Sequence, residues 1–175
     1  MVNSDLIIDF VNTVDLRPYE EGLATPADLA GWLAAHGLLA DGEKATKSEL
    51  DEALRVREAL RDLLAAQNGI DTDVAAASAV LDEAARRARL ALRFSTGKAE
   101  LVPAAGGVRG AVGRLLAEVS AGMADGTWSR MKACRAEDCR WAFLDTAKNR
   151  SRAWCSMQSC GNRAKANAYR ARHLH

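Results

Sequence analysis

All four cysteines of this 175-residue chain fall in its last quarter, as Cys134-x4-Cys139 and, after fifteen residues, Cys155-x4-Cys160. No other feature restricts the fold as strongly. Four thiolates from two short loops close a tetrahedral shell around zinc. A segment of about forty residues with a single aromatic cluster is too small to hold a core unaided, so a metal staple is expected to order it. Disulfides and four unconnected thiols are the other readings. The opening Met-Val-Asn-Ser-Asp-Leu-Ile-Ile-Asp has no basic leader region, so a cytoplasmic location is expected, where disulfides are rare. The repeated spacing argues against chance. One structural zinc is expected, ahead of iron, and four thiolates leave no open position for catalysis.

The formal net charge of +1 conceals a division. Residues 130–175 hold eleven Lys/Arg against three acids, a net +8, which leaves −7 for residues 1–129. That split points to an acidic body carrying a basic contact surface; the alternative is two ends that pair with each other. Hydrophobic residues are 49% of the chain, enough for a core, and no run approaches the roughly eighteen apolar residues of a membrane span. No Gly-x-Ser-x-Gly, HExxH or Cys/His dyad occurs, and the histidines are His36, His173 and His175. His36 lies in an apolar stripe and reads as packing. The chain is not expected to be an enzyme.

Along the chain, Leu6/Phe10 and Ile7/Val11 predict an amphipathic helix near residues 5–13, broken before Pro18. Thr25-Pro-Ala-Asp28 predicts a helix start and Gly37 its end; Thr46-Lys-Ser-Glu49 predicts a second start, running to about Gln67. Residues 71–88 are alanine-rich and helical in pattern. Alternation at Leu90, Leu92 and Phe94, with Thr96-Gly97 at a turn, predicts a β-hairpin to Pro103. Helix returns over 108–123, and Asp125-Gly126 marks a boundary. Gly106, Gly107, Gly110 and Gly113 match no phosphate-loop spacing and read as a loop and a close approach. Between the cysteine pairs, Trp141, Phe143 and Leu144 predict the apolar side of a hairpin. After Cys160 a slim, alanine-rich helix is expected, with Arg163, Asn167 and Arg170 on one face.

Residues 130–172 resemble the CGNR zinc finger family. The residues that carry the resemblance are Cys134, Cys139, Phe143, Asp145, Lys148, Asn149, Ser151, Trp154, Cys155 and then Cys160-Gly161-Asn162-Arg163. The preceding part resembles the ABATE-type domain, through Asp9-Phe-Val-Asn-Thr13 and Trp32-Leu33. The resemblance implies stress-induced transcription regulators that bind DNA.

The fold expected is α+β: a mainly helical regulatory body, residues 1–127, with one β-hairpin, then a treble-clef-like zinc finger at 128–175. Lys148, Arg150 and Arg152 are candidate phosphate contacts, and Arg163, Asn167 and Arg170 candidate base readers. Asn162 reads as a base contact or a helix cap, and Arg163 equally as a partner of the thiolates or of Asp145. Lys165, Arg170 and Arg172 suit phosphate or solvent. Asn12 and Thr13 are candidate lining for an effector pocket, or caps. The expected partners are double-stranded DNA, a small-molecule effector and a second copy of the chain, with no membrane. The competing readings are a zinc-stabilised protein-interaction module, anchored by Trp128, Trp141 or Trp154, and an RNA binder.

Overall fold

The computed structural model describes residues 2–173. Met1, Leu174 and His175 lie outside it, and with them the last two residues of the expected 128–175 module and the last histidine. Helix α1, Ser4–Val11, starts where the Asn3 side chain accepts from the Leu6 amide at 3.1 Å. Leu6, Ile7, Phe10 and Val11 bury one face, as helical spacing requires. A short hairpin follows, β1 Val14–Leu16 and β2 Tyr19–Glu21. The body therefore has two hairpins where sequence pattern predicts one. Strands of three residues are too short to show alternation.

Helix α2, Pro26–Ala35, and helix α3, Lys47–Gln67, both open on the expected capping boxes. In each, a threonine hydroxyl accepts from the third helical amide, and the acid at that position, Asp28 or Glu49, accepts from the threonine amide. Two orphan donors are satisfied at each start. Gly37, at φ +67°, ends the α2 segment, in backbone space that costs glycine little. Helix α4, Val74–Arg87, leads into hairpin β3 Leu90–Ser95 and β4 Lys98–Pro103. Its register, Leu92 opposite Leu101 and Phe94 opposite Ala99, leaves Thr96-Gly97 at the expected turn. The apolar face is nevertheless in solvent at its tip: Leu92 is 60% and Phe94 76% exposed.

Helix α5, Gly107–Asp125, packs on β4 and crosses α1 and α4. Gly113 permits that approach, since a Cβ there would lie 2.7 Å from Ala88 Cβ and 2.8 Å from Pro103 Cβ. The core lies between α1, α2, α3 and α5, with Ile7, Phe10, Leu29, Leu33, Leu60 and Leu115 sealed from water. Each such side chain contributes about 2–3 kcal/mol by leaving water. At its edge, the buried Arg57 guanidinium forks onto Glu21, both bonds 2.7 Å, tying α3 to β2.

After a turn of 3-10 helix at Trp128–Arg130 come β5 Met131–Ala133 and β6 Ala142–Leu144, paired antiparallel. A π-helical turn, Met157–Gly161, then runs into α6, Asn162–His173. Of the apolar Trp141–Leu144 run, Ala142–Leu144 does form a strand, but its partner lies upstream of Cys134. The first cysteine pair is thus the tip of the hairpin, and the spacer holds one strand. Trp128, Met131, Ala133 and Ala142 join the same apolar cluster as α1, α3 and α5. The core runs without interruption from the body into the finger.

Candidate metal centre and nucleic-acid interface

Cys134 directly follows β5, and its amide donates to the Trp141 carbonyl at 2.9 Å, closing the hairpin. Cys139 ends a tight turn whose amide bonds to Ala136 O at 3.0 Å. Cys155 closes the long loop after β6, and Cys160 sits in the π-helical turn. At Gly161 a Cβ would fall 2.5 Å from the Met157 sulfur, so a side chain there would require the exposed Met157 side chain to swing aside.

The four sulfurs lie within 4.8 Å of one another. Cys139 Sγ is 3.6 Å from Cys155 Sγ, which is 3.7 Å from Cys160 Sγ. A disulfide would need about 2.05 Å. Zinc bound to four sulfurs at about 2.3 Å sets its ligands about 3.8 Å apart. The residues therefore fit one tetrahedral structural zinc. The neighbouring Cys139 side chain lowers Cys134 to about 5, whereas Cys139 is pushed up by Cys134 and Cys155 is pushed up by burial, the latter to about 12. Metal binding must strip those protons, so metal retention weakens as pH falls.

Four thiolates on zinc leave a double negative charge, and Arg163 faces it. One guanidinium nitrogen lies 3.5 Å from Cys160 Sγ and 2.9 Å from Asp138. Asp138 also receives Arg17, at the β1–β2 turn. Arg152 is likewise turned inward: it donates to Trp154 O at 2.9 Å and to Cys155 O, and stacks 4.7 Å above the Phe143 ring. Of the expected nucleic-acid contacts, these two arginines are engaged in holding the finger together.

The loop that carries the other basic residues is built on one buried acid. Asp145, fully buried, accepts from Lys132 Nζ at 2.7 Å, from the Ala147 amide at 3.0 Å and from the Arg152 amide at 3.0 Å. Lys132 also donates to the carbonyls of Arg150 and Arg152. Burial pushes the Asp145 carboxyl up, but Lys132 and the two amides outweigh it and hold it below the usual carboxylate range. The role of Lys132 was not legible from sequence, since it is one of eleven basic residues in the segment.

Lys148 and Arg150 stand exposed on that loop, with Arg150 donating to Ser129 Oγ at 3.2 Å. Asn162 caps its own turn through Gln158 O at 3.1 Å and remains exposed. Lys165, Asn167, Arg170 and Arg172 project from α6, a helix that buries none of its residues. Asn12 and Thr13 are engaged by the chain itself. Asn12 pairs both ways with Ala142, accepting from its amide at 2.7 Å and donating to its carbonyl at 2.9 Å. Thr13 donates to Phe10 O and accepts from Arg57. His36 stacks on Trp32, ring centroids 3.9 Å apart. Among the described residues no helix is long and apolar enough to cross a membrane.

Residues 130–173 match the family model described as "CGNR zinc finger". Residues 4–127 match that of the ABATE family, described as "Putative stress-induced transcription regulator". A search of curated proteins finds no match. Both families are of regulator and zinc-finger type rather than enzymes. With the ABATE match spanning well over half its length, the chain belongs to the ABATE family and carries a CGNR zinc finger at residues 130–173.

Proposed function

We propose that the chain is a cytoplasmic transcription regulator whose zinc finger binds double-stranded DNA through α6 and the loop after β6. The observation that carries this reading is α6 itself: a twelve-residue basic helix, launched from the metal site, that buries nothing. A helix of that length is marginal alone in water. A major groove about 12 Å wide accepts such a helix, and its alanines keep it slim. Lys165, Asn167 and Arg170 would enter the groove, while Lys148 and Arg150 would grip phosphates and set register. Asn162, at the helix start, would cap and touch the backbone. Arg152 and Arg163 would act indirectly, by fixing the finger's shape.

The metal supplies folding order here, and the chain's own residues make every contact. A single finger reads few bases, so two copies on adjacent half-sites would complete an operator. An effector reaching Asn12 or Thr13 would have to displace Ala142 or Arg57, loosening the seat of β6. That competition is the route by which the body would regulate the finger.

Selection of bound sequences from a random duplex pool, using the zinc-loaded full chain, tests the reading. The expected result is a recovered consensus and binding that weakens steeply with salt. Absence of duplex retention at low salt overturns it. Exposed Trp141, Met157 and Tyr169 favour one competing reading, a protein-interaction surface; salt-insensitive retention of a protein partner would mark that outcome.

A further inference from the structure

We propose that the body templates the metal site, with Asn68 as the principal positioning residue and Arg61 and Asn12 as its assistants. The proposal stands on the metal centre alone and does not depend on DNA binding. Asn68 is the residue that ends α3, and it is only 4% exposed. Its side-chain amide donates to two carbonyls at once, Ala133 O and Ala153 O, each at 2.8 Å. Ala133 immediately precedes Cys134, and Ala153 lies two residues before Cys155. One side chain from the body therefore brackets both cysteine loops and sets their separation. Arg135, next after Cys134, returns the contact by donating to Asn68 O at 2.7 Å.

The second loop-end is held from the same helix. Arg61, 4% exposed, donates to Arg140 O at 2.9 Å, directly after Cys139, and to Val11 O at 2.6 Å. Asn12 clamps the Ala142 peptide from α1. Three of the four cysteines thus have an adjoining or near-adjoining carbonyl gripped by α3. Cys160 has none of these grips and rides on the arm that continues into α6.

The physical consequence is preorganisation. A three-thiol seat whose backbone is fixed in advance loses little entropy when a metal arrives. Partners one layer outside the ligands typically change metal affinity by about 10- to 100-fold when removed. The grip is also reciprocal: whatever the body contributes to holding the metal, the metal contributes to holding the body.

The test is the rate at which a chromophoric chelator extracts zinc from the loaded, full-length protein. Asn68→Ala is compared with Leu50→Ala, a core truncation at the other end of α3, roughly 27 Å away at 1.5 Å per residue. Asn68→Ala is expected to accelerate extraction about tenfold or more. Leu50→Ala is expected to lower the melting temperature without changing extraction by more than about twofold. Equal acceleration in both variants overturns the proposal, because it would assign the effect to general destabilisation. Should Asn68→Ala not fold, Asn12→Ala, at a half-buried position, carries the test: faster extraction supports the template, and an unchanged rate overturns it. An unchanged extraction rate in a folded Asn68→Ala protein likewise overturns the proposal, whereas accelerated extraction in that variant together with no duplex binding by the wild-type chain would count against the functional reading alone.

Discussion

Strands β5–β6 and helix α6 belong to the same finger, yet they are built on opposite principles. The strands are sunk into the body: Met131, Ala133 and Ala142 share its core, and Asn12, Arg61, Gln67 and Asn68 bond to the backbone around them. The helix touches almost nothing beyond the turn that launches it. One half of the finger is a structural member of the body, and the other stands out in solvent. Substitutions in the strands should therefore act on folding, and those in the helix beyond Arg163 on binding.

The largest expected effect comes from removing the metal. Structural zinc sites in small modules carry about 10–16 kcal/mol of apparent binding free energy at neutral pH. Chelation should expose the β5–β6 amides to hydrogen exchange, whereas α6 amides should exchange fast with or without metal. Slow exchange in α6 of the isolated protein would break the comparison. Lowering the pH should release the ion for the same reason that thiol protons compete with it.

Next in size is Lys132→Met, which strands Asp145 as an unpaired buried charge at a cost of about 3–5 kcal/mol, measurable by denaturant unfolding. Asp145 also predicts a pH effect. Its folded carboxyl is held below the ordinary carboxylate value. Its stabilisation is therefore complete above that ordinary value of about 4 and is lost as pH falls through the lower folded value. Wild type should lose this increment in acid, and Asp145→Asn should show a flatter acid limb. Thr46→Ala, which deletes one capping box far from the finger, should cost about 1 kcal/mol and leave zinc content unchanged. The smallest effect on stability belongs to Lys165→Ala and Arg170→Ala, within about 0.5 kcal/mol. Each should nonetheless reduce the salt slope of duplex binding by about 1. A large loss of stability from either would show that α6 packs after all.

What could be read from sequence was local. Thr25 and Thr46 announce their helices through partners three residues away, and Thr96-Gly97 announces its hairpin through the alternation beside it. The four cysteines announce the metal centre because the ligand chemistry is written in their spacing. The missed features depend on distant partners. Asn68 meets Ala133 across 65 positions, and Asn12 meets Ala142 across 130. Nothing near Asn12 in the chain distinguishes a clamp from a pocket residue. Arg152 looks like a nucleic-acid contact because it sits in a basic segment, and only the fold shows it turned toward the Cys155 carbonyl; for Arg163 the thiolate reading stands beside the base reading, and the guanidinium meets the Cys160 sulfur and Asp138. Strand β5 was invisible for another reason: Met-Lys-Ala carries no strand signal of its own and is extended because β6 pairs with it.

The continuity of the apolar core from α5 into Trp128 and Met131 has a practical consequence for anyone who wishes to transplant this zinc finger. Residues 130–173 cut away from their host are a plug without its socket, with oily side chains bared and backbone carbonyls left dangling. A graft would have to bring the matching asparagines and arginine of α1 and α3 along with it, or supply their equivalents in the new host.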